Sequence, residues 1–346
     1  MVRCTVDESI ERVVIDQMVF PLGVYPVEPM EPKVGYTVEF EPADDGPPDS
    51  ADEWEQWPDR YVFDIVVPHN RLNALLRHLL AMLPGRVYPI LDVLGHDAFR
   101  EIDPYISYEL VGLDRFIDAI RRFRGYFLED GMVGFGAMSD EPFMYVFVDE
   151  HKIVTVRCEP VFRERVEKLL DAFDLQQVDE PVGPDGAAHE HRGVLLMPED
   201  DPDVLGPDEI VEHLRDVWKL TLNVDTESNL DEEGNPLGVT AWRCVVRCLL
   251  EGQETPRYSE LLLRAGCLRE AEELAEQGVE ELLLGPDQEW VDLFVVTAER
   301  LTDKQVRQGL SEMGSSRKRP KETPRSDAGV LAARWLTPAP NAARRN

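Results

Sequence analysis

The chain has 346 residues, with 68 acidic and 36 basic side chains and a formal net charge of −32. This length allows two domains of about 100–200 residues each. An apolar content of 43% supplies ordinary hydrophobic cores, so the composition excludes an intrinsically disordered chain. No stretch reaches the ~18 consecutive apolar residues of a membrane span, and the first residues lack the apolar region of a secretion signal. The sequence therefore predicts a cytoplasmic protein that does not bind membranes.

The charge is distributed unevenly along the chain. Residues 314–346 contain eight basic and two acidic side chains, a local net charge of +6, which leaves −38 for the rest. An acidic body of this kind repels nucleic acid and attracts cations or basic proteins, although it can also serve solubility alone. We therefore expect no nucleic-acid binding by the body, and a protein partner that can be basic.

Five cysteines are present without any CxxC pair. Cys244 and Cys248 lie four apart in RCVVRC, a segment that we interpret as a strand, at a spacing too long for a disulfide within one strand. We predict buried free thiols, which fit a reducing compartment.

The first part of the chain, 1–59, is predicted to be an extension with two short strands. It ends in a linker, EPADDGPPDSADEWEQWPD, because proline, glycine and acidic residues dominate there.

The clearest predicted domain covers 60–176. Two strands, 61–67 and 87–93, flank a helix with leucines at helical spacing, so we expect parallel strands in a βαβ unit. A helix from Asp114, three antiparallel strands and a last helix follow. This order predicts an α+β domain with helices on one face of a sheet.

A second linker, 177–192, leads to a second domain over 193–313 with a similar mixture of strands and helices. We therefore predict two ferredoxin-like α/β sandwiches with mixed sheets, followed by a tail. The basic tail over 314–346 is predicted to be disordered. Its apolar segment, with Trp335 and Leu336, would fold onto a partner or, alternatively, the tail would contact the acidic body or be inert.

The strongest concentration of reactive side chains follows the second strand of the βαβ unit, in ILDVLGHDAFREID. The candidate ligand-binding residues here are Asp92, His96, Asp97, Glu101 and Asp103. Such a set can bind a divalent metal ion or perform acid–base chemistry. The alternative, which we favour, is a polar turn in which Asp97 caps a short helical turn. Replacing His96 and Asp97 by alanine should then barely change stability, since exposed turn residues contribute under about 0.5 kcal/mol.

Two further patterns carry possible ligands. Arg121 and Arg122 lie on a predicted helix and could hold an anionic ligand or pair with neighbouring acids. His189 and His191 are two apart, so in an extended segment both imidazoles face one side and could chelate zinc. A third ligand is not evident from the sequence, and the pair lies in a predicted linker. We therefore predict no metal site, no cofactor and no catalytic residue.

These features favour a non-catalytic interaction, adaptor or ligand-binding module. The alternative is a small-molecule or metal-dependent enzyme that uses the residues from 92 to 103. A third hypothesis is an acidic decoy that mimics nucleic acid. The sequence does not indicate an oligomeric state.

Overall fold

The computed structural model describes residues 2–43, 57–196, 201, 203–253, 255–285, 288–314 and 328–336. The chain divides into two compact units. Unit 1 consists of Met1–Leu94 and Asp103–Asn223, and unit 2 consists of Gly95–Ile102 and Val224–Asn346. The division differs from the predicted domains, because residues 193–223 belong to unit 1 and a short segment before Asp103 belongs to unit 2.

Unit 1 contains fifteen of the strands that the structure describes and five helices. The strands are β1 (Thr5–Val6), β2 (Val14–Ile15), β3 (Met18–Val19), β4 (Val24–Pro26), β5 (Gly35–Glu41), β6 (Arg60–Val66), β7 (Arg86–Leu94), β8 (Ile102–Ser107), β9 (Val111–Gly112), β10 (Val133–Asp140), β11 (Phe143–Val148), β12 (Val154–Cys158), β13 (His189–His191), β14 (Leu195–Leu196) and β15 (Leu220–Leu222). The helices are α1 (His69–Leu80), α2 (Leu113–Arg122), α3 (Arg124–Glu129), α4 (Arg163–Ala172) and α5 (Pro207–Trp218).

A nine-stranded sheet forms the centre of unit 1. Its strands are ordered β15-β8-β7-β10-β11-β12-β6-β5, and β9 also pairs with β7. Each step from β7 through β10, β11 and β12 to β6 is antiparallel, so β6 and β7 run in the same direction. The predicted parallel orientation of these two strands is confirmed, although three antiparallel strands lie between them. The predicted extension is part of this sheet, because β5 pairs with β6 along its whole length.

The core of unit 1 lies on one face of the sheet. Side chains alternate between faces along a strand, and one set, including Leu91, Phe135 and Val146, packs against the buried leucines of α1. The other four helices add residues to the same core. Trp218 of α5 lies there against Phe116 and Phe127, with ring centroids 4.7 Å and 5.5 Å apart. The α+β class is therefore seen, and in unit 1 all five α-helices add residues to this one core.

Unit 2 contains a four-stranded antiparallel sheet and two helices. Its strands are β16 (Thr240–Leu250), β17 (Arg257–Ala265), β18 (Trp290–Leu301) and β19 (Gly329–Trp335), and its helices are α6 (Leu268–Leu282) and α7 (Asp303–Glu312). The strands are ordered β18-β16-β17-β19. Buried residues of α6, including Ala271, Ala275 and Val279, contact this sheet, while Val306 of α7 packs with Leu262.

The ferredoxin-like arrangement is not confirmed in either unit. That fold needs the order β-α-β-β-α-β. Unit 1 places three consecutive antiparallel strands between the two strands of its βαβ connection. Unit 2 has the order β-β-α-β-α-β among the elements that the structure describes.

The predicted disordered tail contains a strand that the sequence analysis missed. β19 pairs antiparallel with β17, from Ser259 opposite Trp335 to Arg264 opposite Gly329. The segment VLAARW lies at the edge of the sheet, and Ala332 is buried. Residues 315–327 and 337–346 of the predicted tail lie outside the described residues.

A buried ion pair holds the segment Gly95–Ile102 within unit 2. The Asp97 and Arg300 side chains are 0% and 5% exposed, with 2.9 Å between Oδ1 and Nε. The Asp97 carboxylate also accepts the backbone N–H of Arg300 at 2.7 Å and that of Phe99 at 2.9 Å. Arg300 Nη1 donates to Asn229 Oδ1 at 3.2 Å. Asp97 is therefore a buried structural residue and not part of an exposed turn.

All five cysteines are free, and Cys158, Cys244 and Cys248 are buried. This agrees with the predicted buried thiols. Among the described residues, no helix is both long and apolar enough to span a membrane.

Replacing Asp97 by alanine should lower the free energy of unfolding by about 3–5 kcal/mol, because it leaves the Arg300 guanidinium buried without its carboxylate. Urea denaturation followed by tryptophan fluorescence measures this change. His96→Ala is the control, because His96 is exposed and should change stability by under about 0.5 kcal/mol. Equal effects of the two substitutions would contradict a structural role for the pair.

Candidate metal centre

Three histidines of unit 1 meet with their Nε2 atoms turned toward one another. His151 Nε2 lies 2.9 Å from His189 Nε2, which lies 3.1 Å from His191 Nε2. The three ring centroids form a nearly equilateral triangle with sides of 4.7, 4.8 and 4.9 Å. One potential ligand atom from each residue lies within 4.8 Å of the others, and all three side chains are half-buried. We call this group the three-histidine centre.

The hairpin turn between β11 and β12 presents His151. Asp149 closes this turn, since its backbone N–H donates to Ile153 O at 3.0 Å and its Oδ1 accepts the Ile153 N–H at 2.7 Å. Lys152 adopts the left-handed conformation with φ of 69°, which lets the chain reverse directly after His151. The histidine therefore lies on a short turn whose shape is fixed by hydrogen bonds.

The other two histidines come from β13, which pairs antiparallel with β4. Because side chains alternate along a strand, His189 and His191 face one side and Glu190 faces the other. A close approach of Gly23 and Gly131 joins β4 to the turn after α3. A β-carbon on Gly23 would lie 1.9 Å from Gly131 N, so only glycine fits there. This contact brings Gly131 O to His191 Nδ1, at 2.7 Å.

The outer nitrogen of each ring faces an acceptor. His189 Nδ1 donates to Ala187 O at 2.7 Å, and His191 Nδ1 donates to Gly131 O at 2.7 Å. His151 Nδ1 lies 3.4 Å from Asp149 Oδ2 and from Glu150 Oε1. A neutral imidazole with Nδ1 protonated has a lone pair on Nε2. The three Nε2 lone pairs therefore converge, and they need a shared proton or a metal ion between them.

Charged groups surround the three-histidine centre. Burial lowers the pKa of His151, but the hydrogen bond to Asp149 and the charges of Asp149, Glu150 and Asp185 outweigh it and leave that pKa raised. Burial and the charges of the other two rings lower the pKa of His191, against the effect of its bond to Gly131 O.

Burial also lowers the pKa of the Lys152 side chain, to about 8. Lys152 is 3% exposed, and its Nζ donates to Val133 O at 2.6 Å.

Two Nε2–Nε2 distances, from His189 to His151 and to His191, suit ligands of a small transition-metal ion. Zinc binds imidazole nitrogen at about 2.0–2.1 Å in tetrahedral geometry, which places neighbouring nitrogens about 3.3 Å apart. The observed 2.9 and 3.1 Å are close to this value. The carboxylates of Asp149 and Glu150 lie at Nδ1 of His151, on the side of the ring away from the Nε2 atoms. They therefore contact the His151 ring and do not provide a fourth ligand. Within the described residues the group has three protein ligands, and three such ligands can hold a metal ion with a bound water at the fourth position.

One predicted site residue, Asp92, lies near this centre. On the sheet Asp92 is opposite Gly134, and a β-carbon on Gly134 would be 3.3 Å from the Asp149 α-carbon. Burial and the charge of Glu150 raise the pKa of Asp92 to about 6. Asp92 is thus part of the acidic surroundings of the three-histidine centre, although it is not one of its three ligands.

The other residues of the predicted site do not join it. Asp92 and Asp103 belong to unit 1, whereas His96, Asp97 and Glu101 belong to unit 2. His96 is exposed, and Asp97 is committed to its buried ion pair. The Glu101 backbone N–H donates to a Glu232 carboxylate oxygen at 2.9 Å, and Asp103 lies in β8. The structure therefore divides the predicted set between the two units.

The predicted arginines and tail residues lie elsewhere in their units. Arg121 is exposed on α2, while Arg122 pairs with Asp118 at 3.0 Å. Trp335 ends β19, and the Arg257 guanidinium lies 3.7 Å from its ring centroid. Leu336 is exposed, and its backbone N–H donates to Tyr258 O at 2.9 Å.

Sequence analysis missed the third imidazole of the centre. The histidine pair at 189 and 191 is visible as HEH, and its shared face follows from strand geometry. His151 lies 38 residues earlier in DEHK, which reads only as a hairpin turn. The available signal was weak: a histidine at the tip of a turn, flanked by two acids that can hold its outer nitrogen.

Comparisons with known proteins add no family for this chain. No family model, curated protein or solved structure matches it. The function of the centre therefore has to be inferred from its own geometry.

Replacing Asp92 by asparagine should raise the melting temperature of metal-free protein at pH 8 by about 2–4 °C, the shift expected for about 1 kcal/mol. The folded-state pKa of about 6 exceeds the value of about 3.9 in an unfolded chain. The ionised carboxylate therefore destabilises the folded state above pH 6, and this cost disappears as the pH falls toward 4. Thermal unfolding across this pH range tests the expectation.

Glu39→Gln is the matched control, because Glu39 is an exposed acid on the same sheet and should show no such pH-dependent gain. A gain for Asp92→Asn that is constant from pH 4 to pH 8 would mean that the charge of Asp92 is not its cause.

Proposed function

We propose that this protein binds a divalent transition-metal ion, with zinc as the favoured ion, at His151, His189 and His191. The observation that carries the proposal is the convergence of three Nε2 atoms whose rings are each held by an acceptor at Nδ1. Metal-binding histidines generally donate their other ring N–H to a carboxylate or backbone carbonyl, which fixes the tautomer and ring orientation. All three rings meet this condition.

The chemistry of the ligand atoms favours zinc over calcium or magnesium. Imidazole nitrogen suits zinc, copper, nickel and iron, whereas the hard cations take oxygen ligands. The acidic body also attracts cations to the surface before they bind. Among the transition ions, a three-histidine set with tetrahedral spacing is typical of zinc.

The described residues supply three imidazoles to this group and no fourth ligand, and such an arrangement favours an enzyme. A structural zinc site uses four protein ligands, whereas a catalytic site keeps three and leaves the fourth for water or substrate. A zinc ion held by the three histidines would lower the pKa of its bound water to about 7 and so supply hydroxide near neutral pH. We therefore propose a metal-dependent enzyme that activates water, at the three-histidine centre and not at the residues from 92 to 103.

An adaptor function is the second candidate. Trp290 and Val291 start β18, at one edge of the sheet in unit 2, and are 43% and 64% exposed. Exposed apolar residues on an edge strand can take a partner segment by strand addition. The acidic body would favour a basic partner, and the same charge motivates the third hypothesis, a nucleic-acid decoy. A cytoplasmic location is part of the proposal, and the five free thiols support it.

Isothermal titration of metal-free protein with Zn²⁺ should give one ion per chain, and Mg²⁺ should give no comparable binding. Replacing His151, His189 or His191 by alanine should weaken zinc binding strongly in each case. The loss should exceed the ~10–100-fold that is typical when a metal-binding histidine loses the hydrogen-bond acceptor of its other ring nitrogen. The reason is that each substitution removes a direct ligand.

His96→Ala serves as the control in this titration, because it also removes one histidine but lies in unit 2. It should leave zinc affinity unchanged. The proposal fails if wild-type protein binds no zinc, or if His96→Ala weakens binding as much as the three ligand substitutions.

A further inference from the structure

We infer that Asp149 is a positioning residue of the metal centre, which orients His151 and sets how strongly the centre holds its ion. This inference rests on the proposed function, because it concerns the same ion. Asp149 is not itself a ligand, but the orientation of His151 would depend on it.

The three ligands differ in what holds their outer nitrogens. Backbone carbonyls hold His189 and His191: Ala187 O lies two residues before His189, and Gly131 O belongs to the turn after α3. His151 alone faces carboxylates, with Asp149 Oδ2 and Glu150 Oε1 both 3.4 Å from Nδ1. A carboxylate that accepts the Nδ1–H makes the ring a stronger donor to the metal than a carbonyl does, because it stabilises the developing positive charge. A substitution at Asp149 or Glu150 can therefore change how the His151 ring is held without altering the backbone of β13.

Of the two carboxylates, Asp149 is the better fixed. Its Oδ1 accepts the Ile153 N–H at 2.7 Å, so the same carboxylate closes the turn and faces the histidine that the turn carries. Among the residues that the structure describes, no backbone hydrogen bond fixes the carboxylate of Glu150, whose charge also acts on Asp92. The structure therefore assigns the orienting task to Asp149 and a smaller electrostatic contribution to Glu150.

A ring without this anchor has more freedom. The His151 side chain lies on a turn of five residues, Asp149 to Ile153, and can rotate about its two side-chain torsions. Without the Asp149 acceptor, Nδ1–H keeps only the less firmly held carboxylate of Glu150. The alternative tautomer, with the proton on Nε2, cannot bind the metal. Losing an outer partner of this type typically costs 10–100-fold in metal affinity.

The test compares zinc affinity in variants that remove the same charge at different places. Asp149→Asn keeps an oxygen that can accept the Ile153 N–H, but its amide group no longer provides a charged acceptor for Nδ1–H. Asp149→Ser is the second variant, because a serine hydroxyl can also close a turn. Glu190→Gln is the matched control: Glu190 lies between two ligands and loses one charge, but it is exposed and pairs with Arg192 at 2.7 Å.

Three measurements separate positioning from folding and from net charge. Competition with a chromophoric chelator gives the zinc Kd of each variant. Visible absorption of Co²⁺-loaded protein reports the geometry of the ligands. Thermal unfolding of metal-free protein reports whether the turn still supports the fold.

We expect Asp149→Asn and Asp149→Ser to raise the zinc Kd on the order of 10–100-fold and to change the Co²⁺ spectrum, with metal-free stability close to that of wild type. Glu150→Gln should have a smaller effect. Glu190→Gln should leave both the Kd and the spectrum as in wild type.

Wild-type affinity and spectrum in both Asp149 variants would overturn the inference while leaving the proposed function in place. An equal loss in Glu190→Gln would also overturn it, because net charge would then explain the effect. Absence of zinc binding by the wild-type protein would overturn the proposed function itself.

Discussion

The three-histidine centre depends on one constraint: the outer nitrogen of each imidazole must find an acceptor that the fold supplies. Two of these acceptors are backbone carbonyls, Ala187 O and Gly131 O, and the third is a carboxylate. The carbonyl of Gly131 is in place only because Gly23 and Gly131 approach more closely than any larger residue allows. The geometry of the three imidazoles is thus set by residues that contact their outer nitrogens and by the residues that hold those contacts in place.

The sequence predicts local features of this structure well. The leucines of α1 and the apolar strands on either side of it are periodic, so the helix, the two strands and their parallel direction follow from spacing alone. The three strands inserted between them do not follow from spacing, because strand order in a sheet is decided by contacts between distant residues. The same limit explains why β19 was missed: a short apolar segment after a charged stretch pairs only because β17 offers an edge.

The candidate site shows the same division between local and distant information. HEH is local, and it gives two ligands on one face of a strand. His151 joins them only through the fold, and so does the buried partner of Asp97, since Arg300 is 203 residues away. The acids and histidine between 92 and 103 are close in sequence, but the structure does not bring them together. The pair His189 and His191 was the better indicator of a site, although its third imidazole was not recognised.

β19 has a consequence for shortened forms of this protein. β17 has β16 on one side and β19 on the other, and most of its side chains are buried. A chain that ends before Gly329 would leave one edge of β17 with free backbone N–H and C=O groups beside Leu261, Leu262 and Leu263. Open, apolar edges of this type associate with strands of other molecules. Aggregation of a shortened protein would therefore reflect loss of an edge-covering strand and not loss of a solubilising tail.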